Sequence, residues 1–200
     1  MKQNTSCRLC MLGRDENRNT CIWGTGNKKA KVLLVGEAPG LDEDCSNAPF
    51  TGGSGRLLEH ILNKLGVKRE DLYITNVLKC RPPNNELPGR KETRECCATC
   101  RPYLLQEVQK CTKVIVVMGG TALEAITGCQ GITKYEGMIV KQNTWRATVV
   151  AAFHPAYVLR APSKEVRLAQ ALARAFKLAG IKVKTKGYEQ GGLYAYEIGG

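Results

Sequence analysis

The chain has 200 residues, 43% of them apolar, which suits one hydrophobic core and about one domain and disfavours a multidomain protein. Its 30 Lys and Arg against 18 Asp and Glu give a formal net charge of +12. That charge indicates either a polyanionic partner such as nucleic acid or a basic surface that only aids solubility. Apolar runs such as Val114 to Met118 are too short to span a bilayer, and the first twenty residues are polar. We therefore expect an intracellular protein without a signal peptide, a transmembrane segment or a membrane partner.

Strand-like and helix-like patterns alternate along the chain. In chain order they predict a strand at 31–35, a helix at 55–65, a strand at 72–77, a loop at 80–88, a helix at 91–110, a strand at 113–118, a helix near 121–126, strands near 138–140 and 148–152, and a helix at 163–179. This alternation predicts an α/β fold, a three-layer sandwich whose central, mostly parallel sheet has about four strands. We expect one domain over residues 1–180 and a flexible basic tail, rich in Gly and Tyr, over 181–200.

Three segments each follow a predicted strand, namely 36–40, the single residue Asn76, and 153–160. Ligands of open α/β sheets bind in the crevice at the carboxyl ends of the strands. We therefore expect the three segments to converge there and to form a ligand pocket.

These segments belong to three longer motifs, GEAPGLDEDCSNAPFTGGSGRLL from Gly36, ITNVLKCRPPNN from Ile74 and FHPAYVLR from Phe153. In this order they resemble the family 4 uracil-DNA glycosylases, the iron-sulfur type, and the likeness runs from Cys7 to about Leu178. The resemblance implies a uracil-DNA glycosylase-like fold and a monofunctional enzyme of base excision repair. Such an enzyme hydrolyses the N-glycosidic bond of a flipped-out deoxyuridine in DNA, releases uracil and leaves an abasic site. We expect it to act as a monomer in the cytoplasm, at the nucleoid.

The resemblance assigns base binding to residues of the first two motifs. Gly36 and Gly40 would form the pocket loop, and Phe50 would stack on the uracil ring. Asn76 would read the O4 and N3 edge of uracil, because its carboxamide both donates and accepts hydrogen bonds. Without the resemblance, GEAPG indicates a structural turn, Phe50 ordinary core packing and Asn76 a capped strand end. In the better-known glycosylase branch, a bulky side chain at the position of Gly40 excludes thymine from the pocket. Glycine has no such side chain, so we expect other residues to exclude thymine, with Glu43 and Phe50 as the candidate pair.

The resemblance also assigns the catalytic groups. His154 would sit beside uracil O2 and stabilise the negative charge that builds on the leaving base. Glu37 and Glu43 are the carboxylates nearest the pocket, and either could orient water and offset positive charge on the sugar. Ala38 stands where the better-known glycosylase branch has an aspartate, so the usual water-activating carboxylate is missing, as is normal for family 4.

The segment after His154 resembles a loop that enters the minor groove of DNA. Leu159 would be the apolar wedge that fills the gap left by the flipped base, and Arg160 would contact phosphate. Both residues are therefore predicted to bind DNA.

Ten cysteines without an export signal favour metal ligation or buried thiols over disulfides. Cys7 and Cys10 form a C-x2-C pair, and Cys80 matches the third cluster ligand of the family. The fourth ligand is Cys100 or Cys96: Cys96 keeps the family's spacing, and we favour Cys100 from the apolar register of its helix. The resemblance favours a structural [4Fe-4S] cluster, although zinc would use the same thiolates. The remaining thiols are predicted to be structural or spare, and they are Cys21, Cys45, Cys97, Cys111 and Cys129.

The last residues allow two interpretations. Gln190, Leu193 and Tyr196 match a sliding-clamp-binding box, but Glu197 replaces its second aromatic residue, and we favour a disordered tail.

Two other classes compete with the enzyme. One is a DNA-binding or covalent uracil-trapping relative without turnover, and the other is a redox-sensing iron-sulfur protein with a vestigial pocket. The trapping branch carries a basic loop with a histidine where this chain has Cys-Arg-Pro-Pro-Asn-Asn. The intact pocket residues count against the redox sensor.

Overall fold

A computed structural model describes residues 5–108, 112–185 and 188. Its central sheet has six strands in the order β1-β3-β2-β4-β6-β5. The strands are β1 Thr25–Gly26, β2 Val32–Gly36, β3 Tyr73–Asn76, β4 Val114–Met118, β5 Ile139–Val140 and β6 Thr148–Ala152. The inner strands β3, β2, β4 and β6 run parallel, and β1 and β5 are short antiparallel edges. The predicted α/β fold with a mostly parallel sheet is confirmed: β5 corresponds to the strand expected near 138–140, and β1 is an edge strand that the sequence prediction missed.

Eight α-helices connect and cover the strands within the described residues. They are α1 Met11–Arg14, α2 Leu41–Ser46, α3 Gly53–Leu65, α4 Arg90–Glu107, α5 Gly120–Thr127, α6 Ile132–Tyr135, α7 Pro155–Arg160 and α8 Glu165–Leu178. The four longer predicted helices correspond to α3, α4, α5 and α8. The sequence prediction missed α1, α2, α6 and α7, because four to six residues are too few to show a periodic apolar face. The segment of α7, predicted as a loop, is helical because His154 caps it and Pro155 occupies its first turn.

Alternate residues of each inner strand face opposite layers. In β2, Val32 and Leu34 pack into the core that α3 and α8 cover, whereas Leu33 and Val35 pack into the core beside α5. All four side chains are buried, which is why this strand reads as a continuous apolar run. The two cores confirm the predicted three layers.

Part of the predicted tail packs against the domain. Ile181 and Val183 contact the core under α3 and α8, and Tyr188 is 7% exposed there. The Tyr188 hydroxyl donates to Glu165, and the Lys184 amide donates to the Leu65 carbonyl. These residues pack against the domain because alternate apolar side chains of the stretch are buried against the core. The clamp-box pattern of 190–196 lies outside the described residues.

The structure also bears on the membrane prediction. Among the described residues, every helix is too short or too polar to cross a bilayer.

Gly55, in the first turn of α3, yields a stability prediction. A Cβ on Gly55 would lie 1.8 Å from the Phe50 carbonyl oxygen, so the Phe50 loop would have to move. We expect Gly55→Ala to lower the free energy of unfolding by about 1–3 kcal/mol, measured by urea denaturation. Gly120→Ala, where an added Cβ meets no atom within 4 Å, is the matched control and should change stability by less than about 0.5 kcal/mol. Equal effects of the two variants would contradict the close approach at Phe50.

Candidate active site

A cavity of about 860 Å³ opens at the carboxyl ends of the parallel strands. The predicted site residues that line it are Glu37, Gly40, Glu43, Phe50, Asn76, His154 and Arg160. The convergence expected for an open α/β sheet is therefore present in the structure. Gly36 lies directly behind the cavity wall, and Leu159 is exposed near its mouth.

Gly36 lets two side chains meet at one wall of the pocket. It pairs with Asn76 in the parallel ladder. A Cβ on Gly36 would lie 2.3 Å from Asn76 Oδ1 and 2.5 Å from Phe50 Cζ. Any larger residue would push the amide or the ring aside, so the glycine of the first motif is a packing requirement of the pocket.

Phe50 combines core packing with a place in the cavity lining. Its backbone is left-handed, with φ at +55°, a conformation that costs a non-glycine residue of order 1 kcal/mol and clusters at functional sites. The ring is 5% exposed, belongs to the core under α3 and α8, and lies 5.6 Å from the His154 ring, centroid to centroid. Core packing of Phe50 is therefore observed, and stacking of its ring on uracil stays a prediction.

Two buried polar atoms of the pocket have no hydrogen-bond partner among the described residues. They are Oδ1 of Asn76 and Nε2 of His154. A buried polar group without a partner costs about 1–3 kcal/mol, so such atoms call for an explanation. A ligand with a polar edge would satisfy both.

His154 has a defined tautomer in this geometry. Its Nδ1 accepts a hydrogen bond of 3.1 Å from the backbone N–H of Ala156, so the proton of the neutral ring is on Nε2. Burial, reinforced by the positive charge of Arg160, lowers the pKa of His154 to about 4, and Glu43 opposes the shift. The ring is therefore a neutral Nε2–H donor near neutral pH.

Glu43 uses its carboxylate to hold two loops. Oε1 accepts from the backbone N–H groups of Thr51 at 3.0 Å and Gly52 at 2.8 Å, and Oε2 accepts from Gly40 at 2.9 Å. The side chain is buried, in the first turn of α2. Three charge-assisted hydrogen bonds occupy the anion, so this geometry suits positioning better than activation of water.

Glu37 has a different environment although it lies in the same motif. Its Oε2 accepts a hydrogen bond of 2.5 Å from the Thr121 hydroxyl at the start of α5. Sequence reasoning missed Thr121, and the only hint was its place just after the Gly119-Gly120 turn that ends β4. The turn also packs against the pocket histidine, because Gly119 has φ at +95° and a Cβ there would lie 3.2 Å from His154 Cβ.

The mouth of the cavity carries apolar and basic side chains. Leu159 and Tyr157, both on α7, are 50% and 40% exposed, and Arg160 lines the cavity beside them. Asn85 also lines the cavity and accepts a hydrogen bond from Arg81 Nε at 2.8 Å. Sequence reasoning assigned no role to Asn85, since a Pro- and Asn-rich loop carries no periodic pattern.

The candidate cluster cysteines meet outside the pocket. Cys7, Cys80, Cys96 and Cys100 are buried in one apolar cluster, and Cys10 packs against it. All are free thiols. Within the described ranges, no set of three or more His, Cys, Asp or Glu side chains has metal-binding geometry. The donor set nevertheless suits iron-sulfur chemistry, which requires four thiolates.

Two observations refine the cysteine predictions. Cys96 and Cys100 are both buried in the same cluster as Cys7 and Cys80, so both remain candidates for the fourth ligand. Cys21, predicted to be structural or spare, is buried there too, with its Sγ 3.3 Å from Cys80 Sγ. Of the other spare thiols, Cys45 is exposed, and the position of Cys111 lies outside the described residues.

Comparison with known proteins identifies the class to which this fold and pocket belong. The profile of the uracil DNA glycosylase superfamily matches residues 23–177, so the chain belongs to that superfamily. Within it, the chain is a member of the type-4 family. It is 36% identical to the type-4 uracil-DNA glycosylase of Archaeoglobus fulgidus over 92% of this chain and 94% of that protein. It is 38% identical to that of Thermotoga maritima over 84% and 83%, and 35% identical to that of Pyrobaculum aerophilum over 86% and 88%.

The tautomer of His154 can be tested directly. We expect long-range ¹H–¹⁵N spectra at pH 7 to show a neutral ring protonated on Nε2, with no titration until the pH approaches about 4. Because the folded pKa lies below the ordinary value of 6.5, the unfolded chain binds more protons between these values. Stability should therefore fall as pH drops through that window, and His154→Ala should reduce the dependence. The exposed His60 is the other histidine and serves as the spectral reference; a His154 ring that titrates near 6.5 would contradict the geometry.

Proposed function

We propose that the chain is a monofunctional uracil-DNA glycosylase that excises uracil from DNA and leaves an abasic site. The observation that carries this proposal is the pair of unpartnered buried atoms, Asn76 Oδ1 and His154 Nε2, which belong to two residues that line one cavity. Membership of the type-4 family supports it, because relatives in that family bear this activity in their names.

Uracil recognition is proposed for one wall of the cavity. Phe50 would stack on the flipped base, a contact worth about 1–3 kcal/mol. Asn76 would bind its O4 and N3 edge, where Oδ1 accepts from N3–H and the amide donates to O4. Cytosine presents the opposite pattern at that edge, so it would leave the buried amide unsatisfied.

Stabilisation of the leaving base is proposed for His154. A neutral Nε2–H donor would hydrogen-bond uracil O2 as negative charge builds there. The hydrogen bond from Ala156 keeps the donor aimed, so no reorganisation is needed when the bond breaks. Neutral imidazole also avoids the desolvation of a cation in a buried site.

Different roles are proposed for the two carboxylates of the pocket, Glu37 and Glu43. Glu37 would orient water and offset the positive charge on the sugar, with Thr121 fixing its Oε2. Glu43 would act through the loops that it binds, and so would shape the pocket around Gly40 and Phe50. This division refines the common role expected from the sequence.

DNA binding is proposed for the exposed end of α7. Leu159 would wedge into the space left by the flipped nucleotide, and Arg160 would bind phosphate. The net charge of +12 predicts that binding weakens steeply with salt.

The proposal is tested by incubation of the protein with an oligonucleotide that contains one uracil, followed by hot alkali. We expect strand cleavage, with His154→Ala slowing excision by about 10²–10³-fold and Asn76→Ala by roughly 10- to 100-fold from loss of buried hydrogen bonds. His60→Ala, which removes the exposed histidine, should retain the wild-type rate. An oligonucleotide with thymine at the same position should stay intact.

Two results would count against the enzyme. A stable protein-DNA adduct would move the function to the covalent uracil-trapping class. Intact DNA without an adduct would favour the redox-sensing class.

We further propose that a structural [4Fe-4S] cluster binds to the cysteine lobe, which is the buried cluster around Cys7, Cys10, Cys80, Cys96 and Cys100. Cys7, Cys10 and Cys80 would supply three thiolates and Cys100 or Cys96 the fourth. The cluster would tie the N-terminal segment, the loop after β3 and α4 together. The support is the shared burial of these free thiols.

Metal analysis of the purified protein tests the cluster. We expect absorbance near ~400 nm and about four irons per chain, with both lost in Cys7→Ser and retained in the exposed control Cys45→Ser. Whichever of Cys96→Ser and Cys100→Ser loses iron is the fourth ligand, and we expect it to be Cys100. A colourless protein with one zinc per chain would contradict the proposal.

Other expectations from the sequence stay proposals. They are a single domain over 1–180, although Ile181, Val183 and Tyr188 of the predicted flexible tail pack against it, a monomer acting at the nucleoid, and sliding-clamp binding through Gln190, Leu193 and Tyr196.

A further inference from the structure

A buried lysine lies behind the pocket wall. The Lys79 side chain is 1% exposed and forms an ion pair with Glu107, which is 2% exposed. Its ammonium also donates to Thr75 Oγ1 and to the backbone carbonyl of Asn76, each at 2.7 Å. An ammonium has three protons, and here each meets an acceptor.

Glu107 connects this lysine to the rest of the fold. Its Oε2 also accepts from the Thr75 hydroxyl at 2.9 Å, and its Oε1 accepts from the backbone N–H of Gly24 at 2.5 Å. The carboxylate thus links the end of α4 with β3 and the segment before β1. An uncompensated charge at this depth would be strongly destabilising, so the network has one well-defined arrangement.

The lysine backbone reaches the cysteine lobe. The Lys79 carbonyl accepts from the amide of Ile22, the residue after the buried Cys21, at 2.6 Å. Cys80 follows directly in the chain. One residue therefore contacts the cysteine lobe through its backbone and the pocket strand through its side chain.

We propose that Lys79 is a positioning residue that fixes Asn76 for base recognition and couples the cysteine lobe to the pocket. The inference rests on the proposed excision of uracil. Asn76 Oδ1 has no partner among the described residues, so its direction depends on the backbone that carries it. Lys79 holds that backbone at the last residue of β3, where the strand ends.

The size of the effect follows from geometry. A displacement of about 1 Å in a positioned group can cost 10²-fold in rate. The hydrogen bonds of the Lys79 network join it to Thr75, Asn76 and Glu107, and through Glu107 to Gly24, none of which lies on α7. Loss of Lys79 should therefore lower the rate of base excision and leave DNA binding unchanged.

The test is a double-mutant cycle with a neutral replacement of the ion pair. Lys79→Met combined with Glu107→Gln removes both charges, so no lone ion is buried, and the new amide at position 107 retains a carbonyl for the Gly24 N–H. In single-turnover excision of uracil, we expect the rate constant to fall about 10- to 100-fold with the half-saturating DNA concentration unchanged. The variant that combines this pair replacement with Asn76→Ala should excise uracil less than about threefold more slowly than Asn76→Ala alone.

The matched control is an exposed ion pair. Lys68→Met with Glu70→Gln removes a pair at 3.5 Å that is largely exposed, and it should leave both quantities unchanged. Thr75→Val provides a second, nearly isosteric probe if the buried pair variant does not fold. It removes one acceptor of Lys79, so its smaller loss should also be non-additive with Asn76→Ala.

The outcomes separate the two proposals. Losses that multiply, or a rise in the half-saturating DNA concentration with an unchanged rate constant, would overturn the positioning role of Lys79. Wild-type rates in the buried pair variant would do the same. A wild-type protein that releases no uracil would instead overturn the proposed function.

Discussion

The pocket depends on how closely β2 and β3 approach at their carboxyl ends. Gly36 and Asn76 are paired residues of the ladder, and the missing side chain of Gly36 gives space to both the Asn76 amide and the Phe50 ring. Phe50 reaches that space only because Gly55 lets α3 begin against its carbonyl. Two glycines therefore decide where the recognition groups stand, although neither carries a functional group.

This arrangement has an energetic cost that the fold must carry. Asn76 Oδ1 and His154 Nε2 are buried without protein partners among the described residues, and each costs about 1–3 kcal/mol. The well-packed cores on both faces of the sheet can offset such a cost. Because the polar atoms are already desolvated and fixed, a bound base gains their hydrogen bonds without reorganisation of the site.

Sequence reasoning could predict the features that repeat or that stand in motifs. Buried strands such as β4 give uninterrupted apolar runs, and the residues after each strand were expected in one crevice. The short helix α7 could not be predicted, since its helical form depends on the cap at His154. Contacts between distant segments, such as Thr121 with Glu37, have no local signature. Lys79 stood in a recognised motif, yet only the folded chain shows what its side chain binds.

The buried charges around the pocket share one arrangement. Glu43 is neutralised by three backbone N–H groups on the β2 side, and Glu107 is neutralised by Lys79 on the β3 side. Glu43 belongs to the cavity lining and Glu107 is buried outside it, and each compensated charge helps to hold one wall in place. The groups that face the proposed base, the Asn76 amide and the His154 ring, are neutral dipoles. A negative charge that develops on the leaving base therefore meets oriented, neutral N–H donors.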